Sequence, residues 1–359
     1  ATNTTLSGST GGSGVSLNLT NAAGVAVFDN LTADGNAVDG EQTVASGATD
    51  YCLEIHNSSL AGNVNNATSN TVLAGASLTT VVDPTNLSGS GQNAVNFRVD
   101  GSASHLTQLY TDINATNSGQ DAVHGIATNG GRADVVFLNV DGSQSGHDGL
   151  NLAADAGGTI SGLFTSGSFS QSGNAGGHVE STNGSNVGLT FNTTPMSNNG
   201  AKGFEYLVNG GSRLSATFND GDLSNNVTNN VVGSVADAGS RAILTFNNTD
   251  ASSQAANGGF VSNVGGGGAL FGVWNDSNVS GTQGDSPGGL WQSHPRSRTD
   301  QEHEQAEQRI PVVYRGSSNA QPHHTDQPGS PRTFDVRGAI ACTSQIPANP
   351  DHSSGQGHD

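Results

Sequence analysis

Positive charge is what this chain lacks most. Of its 359 residues only 11 are lysine or arginine, Lys202 is the sole lysine, and the formal net charge is −19. Nucleic acids and anionic membrane surfaces are bound by neutralising phosphate with Lys and Arg, so neither is expected as a partner. Charged residues of both signs together make up only 11%. The Glu, Lys and Leu that usually fill helix surfaces are scarce, whereas Gly, Asn, Ser and Thr, all poor in helix interiors, dominate. That composition argues against helical bundles. Two cysteines, Cys52 and Cys342, lie far apart; they cannot make a disulfide framework or a cysteine zinc site, and their spacing does not decide whether they pair. No stretch approaches the roughly 20 apolar residues of a membrane span. The chain opens on "ATNTT" with no basic and apolar leader, and the expectation is a secreted or surface protein whose signal has been removed.

What the chain has in abundance is repetition. "SGQNAV" at 90–95 returns as "SGQDAV" at 118–123, and lines begun at Ser90, Ser118, Ser145, Ser172, Asn199, Asn226 and Ala255 bring columns into alignment. The strongest column holds Phe137, Phe164, Phe191, Phe218 and Phe246, five of only twelve phenylalanines, and is expected to continue upstream through Leu109 and Val81. Two and four residues before each Phe stand further apolar or small residues, such as Ala133 and Val135, with Asp134, Ser161, Gly188 and Ser215 between them. That is the period of 2 expected for a strand with one buried face. A second apolar column runs Val123, Leu150, Phe204, Val231 and Phe260 with a gap at Gly177, and a third, weaker one holds Phe169, Met196 and Leu223.

Three short strands per 27 residues, joined by Gly-, Asn- and Asp-rich turns, describe one rung of a parallel β-helix whose like residues stack about 4.8 Å apart. Columns of Ser143, Ser170, Ser197 and Ser224, then of Gln144, Gln171, Asn198 and Asn225, suit such stacking. The glycines that follow, Gly119, Gly146, Gly173 and Gly200, are expected to supply a left-handed corner.

"SGQDAVHGI", "SGHDGLNLA" and "LTFNNTDAS" resemble right-handed parallel β-helix repeats of the pectin-lyase-like kind found in bacterial surface and secreted proteins. The resemblance covers residues 75–281 and reaches more loosely to the N-terminus. It implies an all-β fold, a right-handed parallel β-helical solenoid over 1–284, with an irregular tail over 285–359. It does not choose a function, because the family includes lyases, glycosidases, adhesins and phage spikes. The tail holds eight of the ten prolines and six of the eleven histidines, a density of proline that interior rungs cannot accept. A disordered linker, a shifted reading frame and a small folded domain are the three readings open for it.

Candidate chemistry is sparse. Asp121 and Asp148 fall in one turn column and are expected on adjacent rungs, about 5 Å apart. They suit a tight turn, a bound calcium ion or an acid and base pair. His124, Asn151, His178 and Glu205 form a neighbouring outward stripe. "SGHDG" at 145–149, near Asp141, resembles the histidine and aspartate motifs of polygalacturonases, which makes Asp141, His147 and Asp148 the catalytic candidates if the protein is an enzyme. The threonines Thr190, Thr217 and Thr245 resemble an ice-binding face, but Val136 and Leu163 interrupt them.

The function expected on these grounds is a non-enzymatic extracellular structural or adhesive protein, part of a surface layer, fibre or adhesin, binding glycans, other cell-surface components or neighbouring copies. End-to-end self-association is expected if nothing caps the last rung at Phe271–Trp274. No cofactor is expected, calcium being the one candidate ion. The alternative is a carbohydrate-active enzyme, a polysaccharide lyase or glycoside hydrolase of pectin-lyase-like fold.

Overall fold

The computed structural model of the chain describes residues 1–252, 257–278 and the backbone of a strand at 312–315. The strands of the first half are β1 (Thr2–Thr5), β2 (Val15–Thr20), β3 (Ala23–Thr32), β4 (Glu41–Ser46), β5 (Asp50–Ser59), β6 (Thr68–Leu73), β7 (Ser77–Asn86), β8 (Val95–Asp100), β9 (His105–Asn114), β10 (Val123–Thr128) and β11 (Arg132–Asp141). They continue as β12 (Leu150–Ala154), β13 (Thr159–Thr165), β14 (Ala175–Ser181), β15 (Asn186–Asn192), β16 (Lys202–Val208), β17 (Arg213–Asn219), β18 (Asn229–Val235), β19 (Arg241–Asn247), β20 (Phe260–Val264), β21 (Ala269–Asn275) and β22 (Val312–Arg315). Odd-numbered strands up to β21 build one parallel sheet, sheet A, and even-numbered strands from β2 to β20 a second, ten-stranded parallel sheet, sheet B. Each strand pairs with the one two places on, a rung of about 27 residues later, as in Phe164↔Phe191 and Leu152↔Val179. Among the described residues there is no helix, and the architecture is a parallel β-solenoid.

The expected columns become the core. Phe137, Phe164, Phe191, Phe218 and Phe246 are buried and their rings stack face to face 4.9–5.3 Å apart between centroids. Rings at this spacing gain offset-stacking energy beyond the roughly 25 cal/mol per Å2 of their burial. Trp274 extends the stack downstream at 5.5 Å. Upstream the column continues through Tyr110 and Val82, in place of the expected Leu109 and Val81, which are half-exposed. The rung joining Val95 to Val123 holds 28 residues, and its extra residue lies outside the stretch between Tyr110 and Phe137, which are 27 apart. The gap at Gly177 is filled from the third column, because a Cβ there would lie 3.2 Å from Met196 Sδ.

Two further expectations are corrected. The third strand of each rung is reduced to isolated bridges such as Asp141↔Ser168 and Asp222↔Asp250, because Gln144, Gln171, Asn198 and Asn225 turn into the left-handed region with φ of 58–60° and break the extended run. These residues, not the glycines, supply the left-handed corner. Gly119, Gly146, Gly173 and Gly200 serve close approach instead: a Cβ on Gly146 would stand 2.2 Å from the Gly119 carbonyl oxygen of the rung before.

The repeat extends to the N-terminus, Val15↔Glu41↔Thr68↔Val95, although the sequence there shows no firm period. The reason is a polar lumen. Glu41, Thr43, Thr68 and Asn70 from sheet B and Thr80 and Gln108 from sheet A are fully buried. Glu41 accepts from the Thr43 hydroxyl, and Tyr110 Oη lies 3.1 Å from Thr68 Oγ1. Burial foremost, with the nearby Asp39 charge, raises the Glu41 carboxyl from 4.5 to about 8.

At the far end β22 pairs antiparallel with β21 over Ala269–Gly272. The sheet A edge expected to lie open at the last rung is therefore occupied. The rest of 285–359, Cys342 included, lies outside the described residues.

Candidate functional site

Where sheet A ends, the chain turns a sharp outer corner. Asn3, Asn30, Asn57, Asp112, Asn139, Ser166, Thr193, Asp220, Asn248 and Asp276 all take positive φ of 47–56° there. Asn and Asp tolerate that region, and the amides lace adjacent rungs, as in Asn57 Nδ2 donating to Asp29 Oδ1 (2.9 Å) and Asn139 Nδ2 to Asp112 Oδ1 (2.6 Å). Between Asn57 and Asp112 the position falls to Pro84, whose ring fixes φ near −65° and which has no amide to offer. The ladder breaks there, and the surface opens into two adjoining hollows of about 520 and 300 Å3 that share Asp112 and Asn114.

The lining of this groove is polar. Asp112 and Asn114 flank the inward Ile113, Asn139 and Asp141 flank the inward Val140, and all four flanking residues are exposed. Asn114 lies beside Asp141 in register. Asp141 Oδ1 accepts from the Ser143 amide (3.1 Å) and hydroxyl (2.6 Å). The Oδ2 atoms of Asp112 and Asp141 have no hydrogen-bond partner among the described residues. Asp112 and Asp141 stand on adjacent rungs, two positions out of register with each other. Two carboxylates so placed, each with one oxygen held and one free, can act as acid and base on a substrate laid along the groove.

The other sequence candidates sit elsewhere. Asp121 and Asp148 belong to a ladder at the entrance to sheet B, running Asp39, Asn66, Asn93, Asp121 and Asp148. Each side-chain oxygen accepts from the backbone N–H one rung on: Asp148 N donates to Asp121 Oδ1 (3.0 Å) and Ala175 N to Asp148 Oδ1 (2.9 Å). Burial pushes Asp121 up, but hydrogen bonds from His124, the Asp148 amide and Asn151 outweigh it and hold its carboxyl below the usual range. For Asp148 burial prevails, aided by the Asp121 charge, and its carboxyl is raised. His147 stands against both aspartates. No hydrogen bond or ion pair links Asp141 to His147 or Asp148 among the described residues, so the three catalytic candidates divide between two places. Asp112, which sequence reasoning missed, joins Asp141 in the groove. Its signal was Pro84 standing in a column written in Asn and Asp on the other rungs from Asn3 to Asn139.

The outward stripe of His124, Asn151, His178 and Glu205 is in register. His178 donates to Glu205 (2.9 Å) and Glu180 (3.1 Å), and Lys202 to Glu205 (2.6 Å). Burial opposes the His178 charge, but the two glutamates more than offset this and raise it to about 10. The hydrogen bond from His178 is the main cause that brings Glu205 down to about 2. The other central cations are likewise committed, Arg98 to Asp100 and Arg132 to Asp134, both at 2.7 Å. None of them lines the groove.

No family model and no curated protein matches the chain. Among solved structures it is similar to the catalytic unit of a thermostable GH87 alpha-1,3-glucanase from Streptomyces thermodiastaticus, with 15% identity and a TM-score of 0.33, over 74% of this chain and 63% of that one. The chain thus spans somewhat under two thirds of that solved chain. The expectation of a non-enzymatic structural or adhesive protein is not upheld: what the comparison returned is a catalytic unit, not a structural protein.

Proposed function

We propose that the protein is a carbohydrate-active enzyme, a glycoside hydrolase acting on a neutral polysaccharide. The observation that carries this is the open polar groove at the Pro84 break, with Asp112 and Asp141 on adjacent rungs. Its lining of amides, hydroxyls and carboxylates is the complement of a sugar's hydroxyl groups. One carboxyl protonates the glycosidic oxygen while the other, as carboxylate, draws the proton from an attacking water.

The lyase alternative is disfavoured on electrostatics. A lyase must neutralise a uronate before abstracting its proton, yet no cation lines the groove, and a net charge of −19 repels an anionic polymer. A polymeric substrate, together with the acidic, lysine-poor composition, supports a location outside the cell.

The test is a panel of neutral and uronate polysaccharides assayed for new reducing ends and for unsaturated products. Reducing ends from a neutral polymer, without unsaturation, are expected. Unsaturated products from a uronate polymer, or no turnover of any neutral one, would sink the proposal.

A further inference from the structure

A second cluster lies apart from the groove, at the corner where the chain enters sheet B. His147 Nδ1 is 3.3 Å from Asp121 Oδ1 and 3.1 Å from Asp148 Oδ2. One ligand atom from each of the three residues lies within 4.8 Å of the others. A neutral imidazole carries a single N–H, so His147 cannot give two carboxylates a full hydrogen bond each from one nitrogen. The same distances match the edge of a tetrahedron around zinc, about 3.3–3.4 Å for bonds of about 2.0–2.1 Å.

We propose that Asp121, His147 and Asp148 form a binding site for a divalent transition-metal ion, zinc by its donor chemistry, with the remaining coordination position open to solvent. The carboxylates are buried, with side-chain exposures of 5% and 1%, whereas the His147 side chain is 58% exposed. An ion arriving from solvent therefore meets the imidazole first, with two carboxylates already aimed behind it. Outer contacts fix that aim: Asn151 Nδ2 donates to Asp121 Oδ2 (3.0 Å), Asn174 Nδ2 to Asp148 Oδ1 (2.8 Å), and His124 Nδ1 lies 3.2 Å from Asp121 Oδ2. Such second contacts orient ligands and raise metal affinity. Calcium, the ion suggested by the aspartates alone, needs six to eight oxygens. Here only three side chains converge, and one of the donors is nitrogen.

The full-length protein, stripped with chelator, is titrated calorimetrically with Zn2+ and in a separate run with Ca2+, beside the His147→Ala variant. Because the His147 side chain is exposed and the ladder bonds run through the aspartates, the variant keeps its fold, verified by circular dichroism. Six histidines in 285–359 remain in both proteins, so zinc taken up there appears equally in the two titrations. The expected result is one extra tight Zn2+ equivalent in the wild type, weakened more than about 100-fold by the substitution, and tetrahedral Co2+ absorption bands absent from the variant. Identical Zn2+ titrations of the two proteins, or Ca2+ binding of equal strength indifferent to His147, would overturn the proposal and leave the cluster as a hydrogen-bonded corner.

Discussion

Replacing Glu41 by glutamine removes a carboxylate that is sealed completely inside the solenoid. Its pKa lies near 8 instead of 4.5, chiefly because burial penalises the charge. A folded pKa raised above the unfolded one means that the folded state holds the proton more tightly. The associated stability is fully present below about pH 4.5 and is lost as pH rises through about 8. At about 1.4 kcal/mol per pH unit, the window from 4.5 to 8 corresponds to about 5 kcal/mol of stability lost by the wild type. Glutamine keeps an acceptor for the Thr43 hydroxyl and offers N–H donors where the protonated acid offers O–H, so it imitates the neutral acid at every pH. Urea unfolding at pH 5 and pH 8.5 measures the difference, and the titrations common to both proteins cancel. Near equality at pH 5 is expected, with the Glu41→Gln protein more stable by about 3–5 kcal/mol at pH 8.5. Parallel pH profiles for the two proteins would refute the reasoning, because they would mean that Glu41 is ionised or hydrated in the folded lumen.

His178→Ala is expected to cost about 2 kcal/mol at pH 5.5, the worth of hydrogen bonds to charged partners. A raised histidine pKa contributes below about 6.5 and fades as pH rises through about 10, so the cost measured by chemical denaturation shrinks by pH 10.5; a cost independent of pH would count against the ion pair. Gly146→Ala drives a Cβ to within 2.2 Å of a backbone oxygen that cannot swing aside, and a loss of about 1–3 kcal/mol or more is expected in the melting curve. Gly188→Ala is its control, since nothing lies within 4 Å of that Cβ, and a comparable loss there would show that close approach is not the cause.

The legible part of the fold was the part whose inward positions are apolar. Phe137 to Phe246 announce sheet A because a rare residue recurs at one spacing, and Asp121 over Asp148 follows from the same frame. The register slipped by one at Tyr110, where a phenol stands in an aliphatic and aromatic column beside an equally plausible Leu109. The N-terminal rungs were hidden because Glu41, Thr43, Asn70 and Gln108 face the core, which inverts the apolar signal that period-reading depends on. The groove was half legible. Asp141 was marked by its neighbours at 145–149, but Asp112 becomes visible only once Pro84 is placed in the corner ladder, and a single proline in a strand carries no such message alone. Glycine roles were misassigned because sequence does not distinguish a residue needed for positive φ from one needed for backbone contact.

Whether the groove performs hydrolysis is measured most directly by reducing-end release from the best neutral polysaccharide by wild type and by the Asp112→Asn and Asp141→Asn proteins, with oligosaccharide binding measured alongside. Each variant is expected to lose turnover by about 100-fold or more, the usual worth of general acid or base catalysis, while binding persists. Turnover unchanged in both variants would contradict the assignment of the groove as the active site.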